Sequence, residues 1–386
     1  MSDLRIGVLG YGGRAALAAL AHRPGDGSRI AAVCDPRPER LALARDRYGD
    51  EPLLTSREDD FLAAGLDAVF VMSPDYLHER HAVAVLEAGA AAYVEKPMAI
   101  TTAGCDRMLS TAARTGSRLY VGHNMRHMPV IAAMRRLIDK GAVGQVKAVW
   151  CRHFVGHGGD FYFKDWHAER AKGTGLLLQK GAHDIDVIHW LAGGYTRQAV
   201  AIGGLTVYGE AGRRDGAGGY LAPGAWTAER LATWPPAAQA GLSPALDVED
   251  LSMMLMTLDN GVRASYQQCH YTPDYWRNYT VIGDAGRLEN FGDGPGAEIR
   301  VWNSRRHAGY PGAPDQAVAI GANDGGHGGA DPLIVAEFLR YARDGGETVT
   351  SIVAAREAVA AGCAATESLR SGGIPVRVPE IKRSDL

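Results

Sequence analysis

Short apolar segments alternate with helical patterns in the first part of this chain, and this alternation limits the fold more than any other feature of the sequence. The segments predicted to be strands are residues 5–9, 30–34, 68–72, 91–94 and 118–121, separated by alanine-rich helical segments. Strands that alternate with helices are joined by right-handed crossovers and form a parallel sheet with helices on both faces. We therefore predict an α/β fold that begins with a doubly wound Rossmann sheet.

The pattern changes after about residue 124, where a predicted helix (129–140) is followed by longer strands. These strands are predicted at residues 146–154, 252–258, 262–268 and 279–282, and Asp259-Asn260-Gly261 between the middle two is a hairpin turn signal. Sheets built from hairpins are antiparallel and often leave one face uncovered. We expect a second α/β domain with a large, open, mostly antiparallel sheet, an extended loop over residues 207–244, and final helices at 331–343 and 352–369.

Composition excludes several classes of partner. The chain has 41 Lys and Arg against 44 Asp and Glu, a net charge of −3, and the basic residues are scattered, which argues against nucleic acid. The apolar runs are shorter than the ~20 residues of a membrane-spanning helix and no leader precedes the first strand, so we expect no membrane partner and a cytoplasmic protein. The five cysteines form no C-x-x-C pair, which predicts reduced, mostly buried thiols and no metal site.

The first predicted strand leads into a glycine motif with the pattern G-x-G-x-x-A. Gly10 allows the tight turn, Gly12 lets a pyrophosphate approach the backbone, and Ala15 allows close packing of the next helix, predicted over residues 15–22. Gly13 and Arg14 complete the loop. The free N–H groups at the start of the helix suit an anion. This loop therefore predicts a dinucleotide-binding site.

A carboxylate follows at the end of the second predicted strand. Asp35 stands about 20 residues after the glycine motif, where an acidic side chain holds the ribose hydroxyls of NAD and repels the 2′-phosphate of NADP. We predict NAD as the cofactor; Arg37 and Arg40 follow closely and leave some tolerance of NADP open. We assign residues 1–123 to an NAD-binding Rossmann domain and residues 124–386 to a substrate-binding and oligomerisation domain.

Three further motifs are Ser73-Pro74-Asp75-Tyr76-Leu77-His78, Glu95-Lys96-Pro97 and Gly122-His123-Asn124-Met125-Arg126. With residues 175–190 they make the chain resemble the Gfo/Idh/MocA oxidoreductase family. The resemblance implies that the protein uses a nicotinamide cofactor on a sugar, an inositol or a derivative, and that it forms a homodimer or homotetramer through the open face of the second sheet. It also implies a cis bond at Pro97 and cofactor contacts from Ser73, Pro74, His78, Glu95, Lys96 and Asn124.

The resemblance implies that Lys96 lies beside the nicotinamide and the reacting hydroxyl. An ammonium group there stabilises a developing alkoxide. His183 matches the family's histidine and is our candidate general base, but Gln179 stands where the family has an aspartate. An amide cannot exchange a proton at neutral pH. Lys180 next to it is a cation that either replaces the lost function or binds an anionic substrate.

A third group of polar and aromatic residues lies between the strand at 146–154 and the segment that contains His183. Aromatic faces and hydrogen-bonding groups are what a pyranose requires, and ordinary loop packing is the alternative. The candidates for this substrate wall are His153, His157, Tyr162, Lys164, Trp166 and His167. Weaker candidates are Arg277, Asn278, Tyr279 and the glycine-rich residues 325–329.

Three functions fit these residues. The first is an NAD-dependent dehydrogenase or reductase of a sugar or polyol, in which His183 removes the hydroxyl proton and Lys96 stabilises the charge on oxygen. The second is an NAD-dependent glycoside hydrolase, which oxidises C3 transiently, eliminates, adds water and reduces again, with Lys180, His157 or Tyr162 as the second base. The third, a non-catalytic NAD-sensing regulator, is disfavoured because Lys96 and His183 are both present.

Overall fold

The computed structural model describes residues 2–216, 231–305, 312–321 and 326–381. The chain divides into two compact units. The first comprises the described residues of Met1–Asn124 and Ala330–Val359, together with residue 381. The second comprises those of Met125–Gly329 and Ala360–Glu380.

The first unit contains the predicted Rossmann sheet. Its six strands are all parallel and lie in the order β3-β2-β1-β4-β5-β6. The strands are β1 Leu4–Leu9, β2 Ser28–Cys34, β3 Leu53–Thr55, β4 Ala68–Val71, β5 Ala91–Val94 and β6 Leu119–Val121. Five of them were predicted within two residues of their ends, whereas the three-residue β3 is too short to show a periodicity.

The helices between these strands are α1 Ala15–Ala18, α2 Pro38–Tyr48, α3 Glu58–Leu62, α4 His78–Glu87 and α5 Thr102–Thr115. The bounds of α5 follow from its sequence, because the Thr101 side chain accepts a hydrogen bond from the Gly104 N–H at the start and Gly116 adopts a left-handed conformation at the end. The helix after the glycine motif is shorter than expected: α1 has four residues and passes into a 3₁₀ turn, Ala19–Ala21.

The second unit is built on a nine-stranded sheet of described residues, in the order β14-β13-β12-β11-β7-β10-β9-β8-β15. Its strands are β7 Val146–Val155, β8 Thr196–Gly204, β9 Leu251–Leu258, β10 Arg263–Cys269, β11 Tyr275–Gly283, β12 Arg287–Phe291, β13 Glu298–Trp302, β14 Gln316–Ala319 and β15 Val376–Arg377. All of these neighbours are antiparallel except β7 and β10. The predicted hairpin joins β9 to β10, with Gly261 at a φ of +84°.

Helices cover one face of this sheet. They are α6 Pro129–Asp139, α7 Gly158–Phe161, α8 Arg170–Gly173, α9 Leu176–Gln179 and α10 Gly181–Ala192. The central helix α10 packs on β7 and β10, where Gly181 allows close contact with the ring of Tyr266. The structure describes only the two ends of the predicted loop at 207–244, and residues 217–230 lie outside the described residues. At the first end, the buried Asp250 carboxylate accepts hydrogen bonds from the Val207 and Tyr208 N–H groups.

The chain ends with two long helices, α11 Gly326–Asp344 and α12 Ile352–Arg370. The sequence assigned all of residues 124–386 to the second domain, but residues 330–359 belong to the first unit. The reason is an apolar stripe on α11, in which Phe338 packs against the rings of Phe70 and Tyr93 at 5.0 and 5.4 Å. Helical periodicity reveals such a stripe but not the sheet that it covers.

Two simple features complete the description. All five cysteines are in the thiol form, and three of them are buried. Among the described residues, no helix combines the length and apolar character needed to cross a membrane.

Candidate active site

Most of the predicted cofactor residues of the first unit follow the carboxyl ends of its parallel strands. Gly10 follows β1, Asp35 follows β2, Ser73 comes two residues after β4, and Glu95 and Lys96 follow β5. The direction of the strand order reverses between β1 and β4. In open parallel sheets, ligands bind at this reversal, beyond the carboxyl ends of the strands.

The glycine loop has the shape that a dinucleotide requires. Gly10 has a φ of +90°, and a Cβ there would lie 2.7 Å from the Ser73 backbone nitrogen, so no larger residue fits. A Cβ on Gly12 would meet no atom within 4 Å, which leaves its backbone open to a phosphate. A cavity of about 360 Å³ borders the loop and is lined by Tyr11, Gly12, Gly13, Ala15, Ala16, Arg40, Leu43, Asp46 and Arg47.

The Asp35 carboxylate is buried and already accepts several hydrogen bonds. It receives the Tyr11 N–H at 2.8 Å and the Arg37 N–H at 3.0 Å. The Arg37 side chain, half of it exposed, also forms an ion pair with Asp35 at 3.1 Å. Arg37 therefore offsets part of the negative charge that the sequence analysis used to predict NAD preference.

The Lys96–Pro97 peptide bond is cis, as the resemblance implied. His78 is buried beside this turn, and its ring nitrogens lie 2.7 Å from the Pro97 carbonyl oxygen and 2.8 Å from that of Ser73. His78 was expected to contact the cofactor. In the structure, its ring instead contacts two backbone carbonyl oxygens, and these contacts connect the Lys96 turn to the segment after β4.

Arg14 links the glycine loop to the same turn. Its guanidinium donates to Glu95 at 2.9 Å and to Asp331 at 3.0 Å, and Glu95 in turn accepts the Lys96 N–H at 3.0 Å. Burial alone would lower the pKa of Arg14, but Glu95 and Asp331 outweigh it and raise that pKa. Arg14 and Glu95 thus brace the Lys96 turn.

Asp331 is a residue that the sequence analysis missed. It comes from α11 and also accepts a hydrogen bond from the Asn124 side-chain amide at 3.0 Å. Asp331 and Arg14 are 317 residues apart in sequence, and no local motif marks Asp331. The side-chain Oδ1 of Asn124 is buried and has no hydrogen-bond donor among the described residues, which keeps it as a candidate contact for the nicotinamide amide.

In the second unit, the segment with His183 is not one continuous helix. The helix α9 ends at Gln179, α10 begins at Gly181, and Lys180 lies between them. Gln179 and His183 are 3% and 6% exposed, whereas Lys180 is half-buried, with its Nζ 5.7 Å from the centre of the Tyr162 ring. Asp186, about one turn after His183 on α10, is paired with the buried Arg126 at 2.7 Å.

Asp184 is the centre of a closed, buried network that the sequence did not reveal. Its carboxylate contacts His153 at 2.9 Å and Arg277 at 3.1 Å, and accepts hydrogen bonds from Tyr266 and Tyr279. Burial would raise the pKa of Asp184, but Arg277 and His153 hold it well below its usual range. These partners come from β7, β10 and β11 and converge only in the folded chain.

His153 was predicted to contact substrate, but both of its ring nitrogens lie against other side chains of the second unit. The side chain is fully buried, and burial followed by the charge of Arg277 lowers the pKa of His153 to about 3. Its Nδ1 lies against Asp184 and its Nε2 is 3.2 Å from Arg277. His153 therefore supports the network beneath α10. Arg277 and Tyr279, weaker candidates for substrate contacts, belong to it as well.

The other predicted wall residues form an aromatic cluster. Trp166 stacks on His167 at 3.8 Å, and the ring of Tyr162 lies 6.2 Å from that of His167. His157 stacks on Tyr275 at 6.3 Å. Lys164 is only 5% exposed, so its side chain is set into the surface rather than extended from it.

His270 joins this cluster, with its ring 5.3 Å from that of Tyr162. Neither His270 nor Tyr275 was singled out from the sequence, since both stand at strand ends without a motif. Among the described residues, no group of three His, Cys, Asp or Glu side chains is arranged to hold a metal ion.

Two family models match the chain in consecutive segments. Residues 4–123 match the oxidoreductase family with an NAD-binding Rossmann fold, and residues 131–289 match the GFO/IDH/MocA C-terminal domain. The chain belongs to the Gfo/Idh/MocA oxidoreductase family. Its first unit is therefore an NAD-binding Rossmann domain, and the residues present fit that cofactor in the open glycine loop and at Asp35.

Known Gfo/Idh/MocA proteins resemble the chain to different extents. YteT of Bacillus subtilis (strain 168) is 25% identical over 80% of this chain and 82% of its own length. Inositol 2-dehydrogenase 1 of Saccharopolyspora erythraea is 32% identical to this chain. The match covers 49% of this chain and only 54% of the length of that relative. A solved structure of levoglucosan dehydrogenase with NADH and levoglucosan is 19% identical, covers 98% of this chain and 100% of its own, and has a TM-score of 0.77, which shows a shared fold.

Proposed function

We propose that the protein is an NAD-dependent oxidoreductase that transfers hydride between a secondary alcohol of a sugar or related polyol and nicotinamide. The observation that carries this proposal is the Lys96 turn. It follows β5 in the same parallel sheet whose β1 carries the open glycine loop, and Glu95 and His78 fix its backbone. The inositol and levoglucosan dehydrogenases that resemble the chain support an alcohol as the substrate.

Lys96 is the group that we assign to the reacting oxygen. The half-buried ammonium stabilises negative charge that develops on an alcohol oxygen, and more so where water is excluded. Bound NAD supplies the hydride acceptor. The neighbouring Glu95 carboxylate is occupied by Arg14 and by the Lys96 N–H, so we assign it a supporting role and not that of a base.

His183 is the general base that we propose for the hydroxyl proton. An imidazole suits reversible proton transfer near neutral pH. Gln179 lies one turn earlier and can orient a hydroxyl but cannot take its proton. Lys180, in the break between α9 and α10, is assigned to substrate binding.

The experiment that tests these roles combines turnover with cofactor binding. Lys96→Ala and His183→Ala should each abolish NADH formation and leave the Kd for NAD within about threefold, because both groups act on the substrate oxygen. His189→Gln is the control, since His189 is equally buried on α10 but bonds to Thr196. Near-normal kcat in either alanine variant would remove that residue from the mechanism.

A second function, NAD-dependent glycoside hydrolysis, is kept by one observation: the buried residue at the family's aspartate position is Gln179. Such a hydrolase returns the hydride in each turnover, whereas a dehydrogenase consumes one NAD per product. With sugars and aryl glycosides and excess NAD, we expect stoichiometric NADH and no release of aglycone. Aglycone released over many turnovers with catalytic NAD, and solvent deuterium at C2 of the sugar, would establish the hydrolase instead.

We also propose that the protein is a homodimer or homotetramer assembled through the uncovered face of the second sheet. Trp150 and Leu255 on that face are 52% and 62% exposed, and both pair with Ser265 in adjacent strands. Such a patch is typical of an interface. Light scattering should show that Leu255→Glu lowers the mass to that of the monomer, while Leu43→Glu on α2 does not. A monomeric unmodified protein would contradict this.

A further inference from the structure

A buried histidine of the second unit lies beside the aromatic cluster, and its ring has no hydrogen-bond partner in the part of the chain that the structure describes. His270 follows β10 directly and is 0% exposed. Neither of its ring nitrogens meets a hydrogen-bonding atom among the residues that the structure describes. Buried polar groups nearly always have such partners, because leaving one unsatisfied costs folding free energy. A ligand that supplies the missing contact accounts for this imidazole.

Hydrogen bonds on both sides of the His270 peptide hold its backbone in place and so limit the positions that its ring can take. Its N–H donates to the Asp250 carbonyl oxygen at 3.0 Å, and its own carbonyl accepts from the Tyr208 hydroxyl at 3.3 Å. Gly158 of α7 lies against it, and a Cβ there would come within 2.3 Å of the His270 carbonyl oxygen. Glycine is therefore required at position 158, and the contact holds α7 against the end of β10.

Tyr162 connects His270 to the cation that precedes α10. The His270 ring meets the Tyr162 ring edge to face, with centres 5.3 Å apart and planes at 74°. The Lys180 Nζ lies 5.7 Å from the centre of the same tyrosine ring. An ammonium and an imidazole thus border one aromatic side chain, and the Lys180 charge is close enough to act on the His270 ring.

The groups whose charge acts on His270 are basic. Burial first, and then His153, Lys180 and His157, lower the pKa of His270 well below its ordinary value. The ring is therefore neutral and offers one N–H donor and one lone pair. The Lys180 ammonium favours a negatively charged ligand group over a neutral one.

We propose that His270 is a further specificity residue that, together with Lys180, recognises a carboxylate on the sugar substrate, as in a uronide. This inference rests on the proposed function, which makes the substrate a sugar. A carboxylate has two oxygens, so that one accepts from the Lys180 ammonium and the other from the His270 N–H. Hydrogen bonds to a charged acceptor are about twice as strong as neutral ones. A neutral sugar has a hydroxymethyl group in place of this carboxylate and cannot form the charge-assisted hydrogen bonds.

The test uses pairs of substrates that differ only at C6: methyl glucuronide with methyl glucoside, and the galacto and manno pairs, each with NAD. In at least one pair, kcat/KM of the unmodified protein should be about tenfold or more higher for the uronide. His270→Phe and Lys180→Met should each lower uronide kcat/KM by about 10- to 100-fold, as loss of a hydrogen bond to a charged group does. His270→Phe should change kcat/KM for the neutral glycosides less than threefold.

Two controls separate recognition from folding. His270→Gln keeps a side-chain donor and should restore part of the uronide preference, whereas His189→Gln replaces a buried histidine outside the cluster and should leave the preference unchanged. If the unmodified protein prefers the neutral sugar in every pair, or if His270→Phe affects both members equally, the inference is overturned.

A binding measurement distinguishes failure of this inference from failure of the proposed function. Calorimetric titration of methyl glucuronide into the protein with NADH should show binding that His270→Phe weakens about tenfold. Uronide binding of this kind without any NADH production from NAD would sink the proposed function and support the recognition site. NADH production from neutral sugars, with no uronide binding, would do the opposite.

Discussion

The two units hold their buried carboxylates in different ways. In the first, Asp331 binds Arg14, whose side chain is 31% exposed and keeps Glu95 as a second partner. In the second, Asp184 and Arg277 are 0% and 6% exposed. The first arrangement is an open pair at the edge of a site, and the second is a closed network beneath one. The difference predicts how much each unit loses when one charge is removed.

The largest expected effect is that of Asp184→Asn. Removing one partner of a buried ion pair costs about 3–5 kcal/mol; Arg277 would keep Asp293 at 3.3 Å, but it and the other partners of Asp184 would lose their charged acceptor. Asp331→Asn, the matched change in the first unit, should cost less than about 2 kcal/mol, because Arg14 retains Glu95 and some contact with water. Denaturant unfolding of the two variants would measure this. Equal losses would contradict the contrast.

The next effect is a loss of stability in mild acid. Burial lowers the pKa of His81 in the first unit and of His189 in the second to about 4. Because these folded-state values lie below the unfolded value of about 6.5, the unfolded chain binds more protons between the two. Each histidine should therefore remove about 1.4 kcal/mol per pH unit as the pH falls from 6.5 towards 4.

Thermal unfolding between pH 7 and 4.5 would measure this slope. His189→Gln should flatten the pH dependence of Tm, since glutamine does not titrate. A Tm of the unmodified protein that rises on acidification would show the opposite sign and refute the assignment.

A third effect concerns the Lys96 turn alone. His78→Ala removes the ring that links the Ser73 and Pro97 carbonyls, so we expect about 1–3 kcal/mol less stability and roughly tenfold lower kcat, with the Kd for NAD little changed. The pH profile of kcat should keep its shape, because His78 positions the turn and transfers no proton. A shifted profile would give His78 a chemical role.

The sequence predicted those parts of the site that local spacing encodes. The glycine loop and the hairpin at Gly261 each depend on a few adjacent residues, and the structure confirms both; the cis bond at Lys96–Pro97, which the family resemblance implied, is also present. Parallel and antiparallel sheets followed from the spacing of apolar segments in the same way. The roles of His78 and Arg14 were not predicted, because a motif shows that a residue matters but not which atoms it contacts.

What the sequence could not show is convergence over long distances. Asp331 reaches Arg14 only because α11 packs on the first sheet, and the partners of Asp184 come from three strands. His270 carries no motif, and only packing reveals that its ring nitrogens meet no hydrogen-bonding atom among the described residues. Hydrophobic periodicity identifies a buried face but does not pair it with another.

The smallest expected effect tests the charge balance at Asp35. Arg37 is half exposed, and such an ion pair is worth about 0–1 kcal/mol. Arg37→Ala should therefore weaken NADP binding by no more than about fivefold, because the Asp35 carboxylate then repels the 2′-phosphate more strongly. NAD has no 2′-phosphate, so its binding should stay unchanged. Asp35→Ala should act in the opposite direction and narrow the gap between the two cofactors. Fluorescence titration at low and high salt would check both, since screening should shrink the Arg37 effect. Tighter NADP binding by Arg37→Ala, or by the unmodified protein relative to NAD, would show that Asp35 does not set the preference.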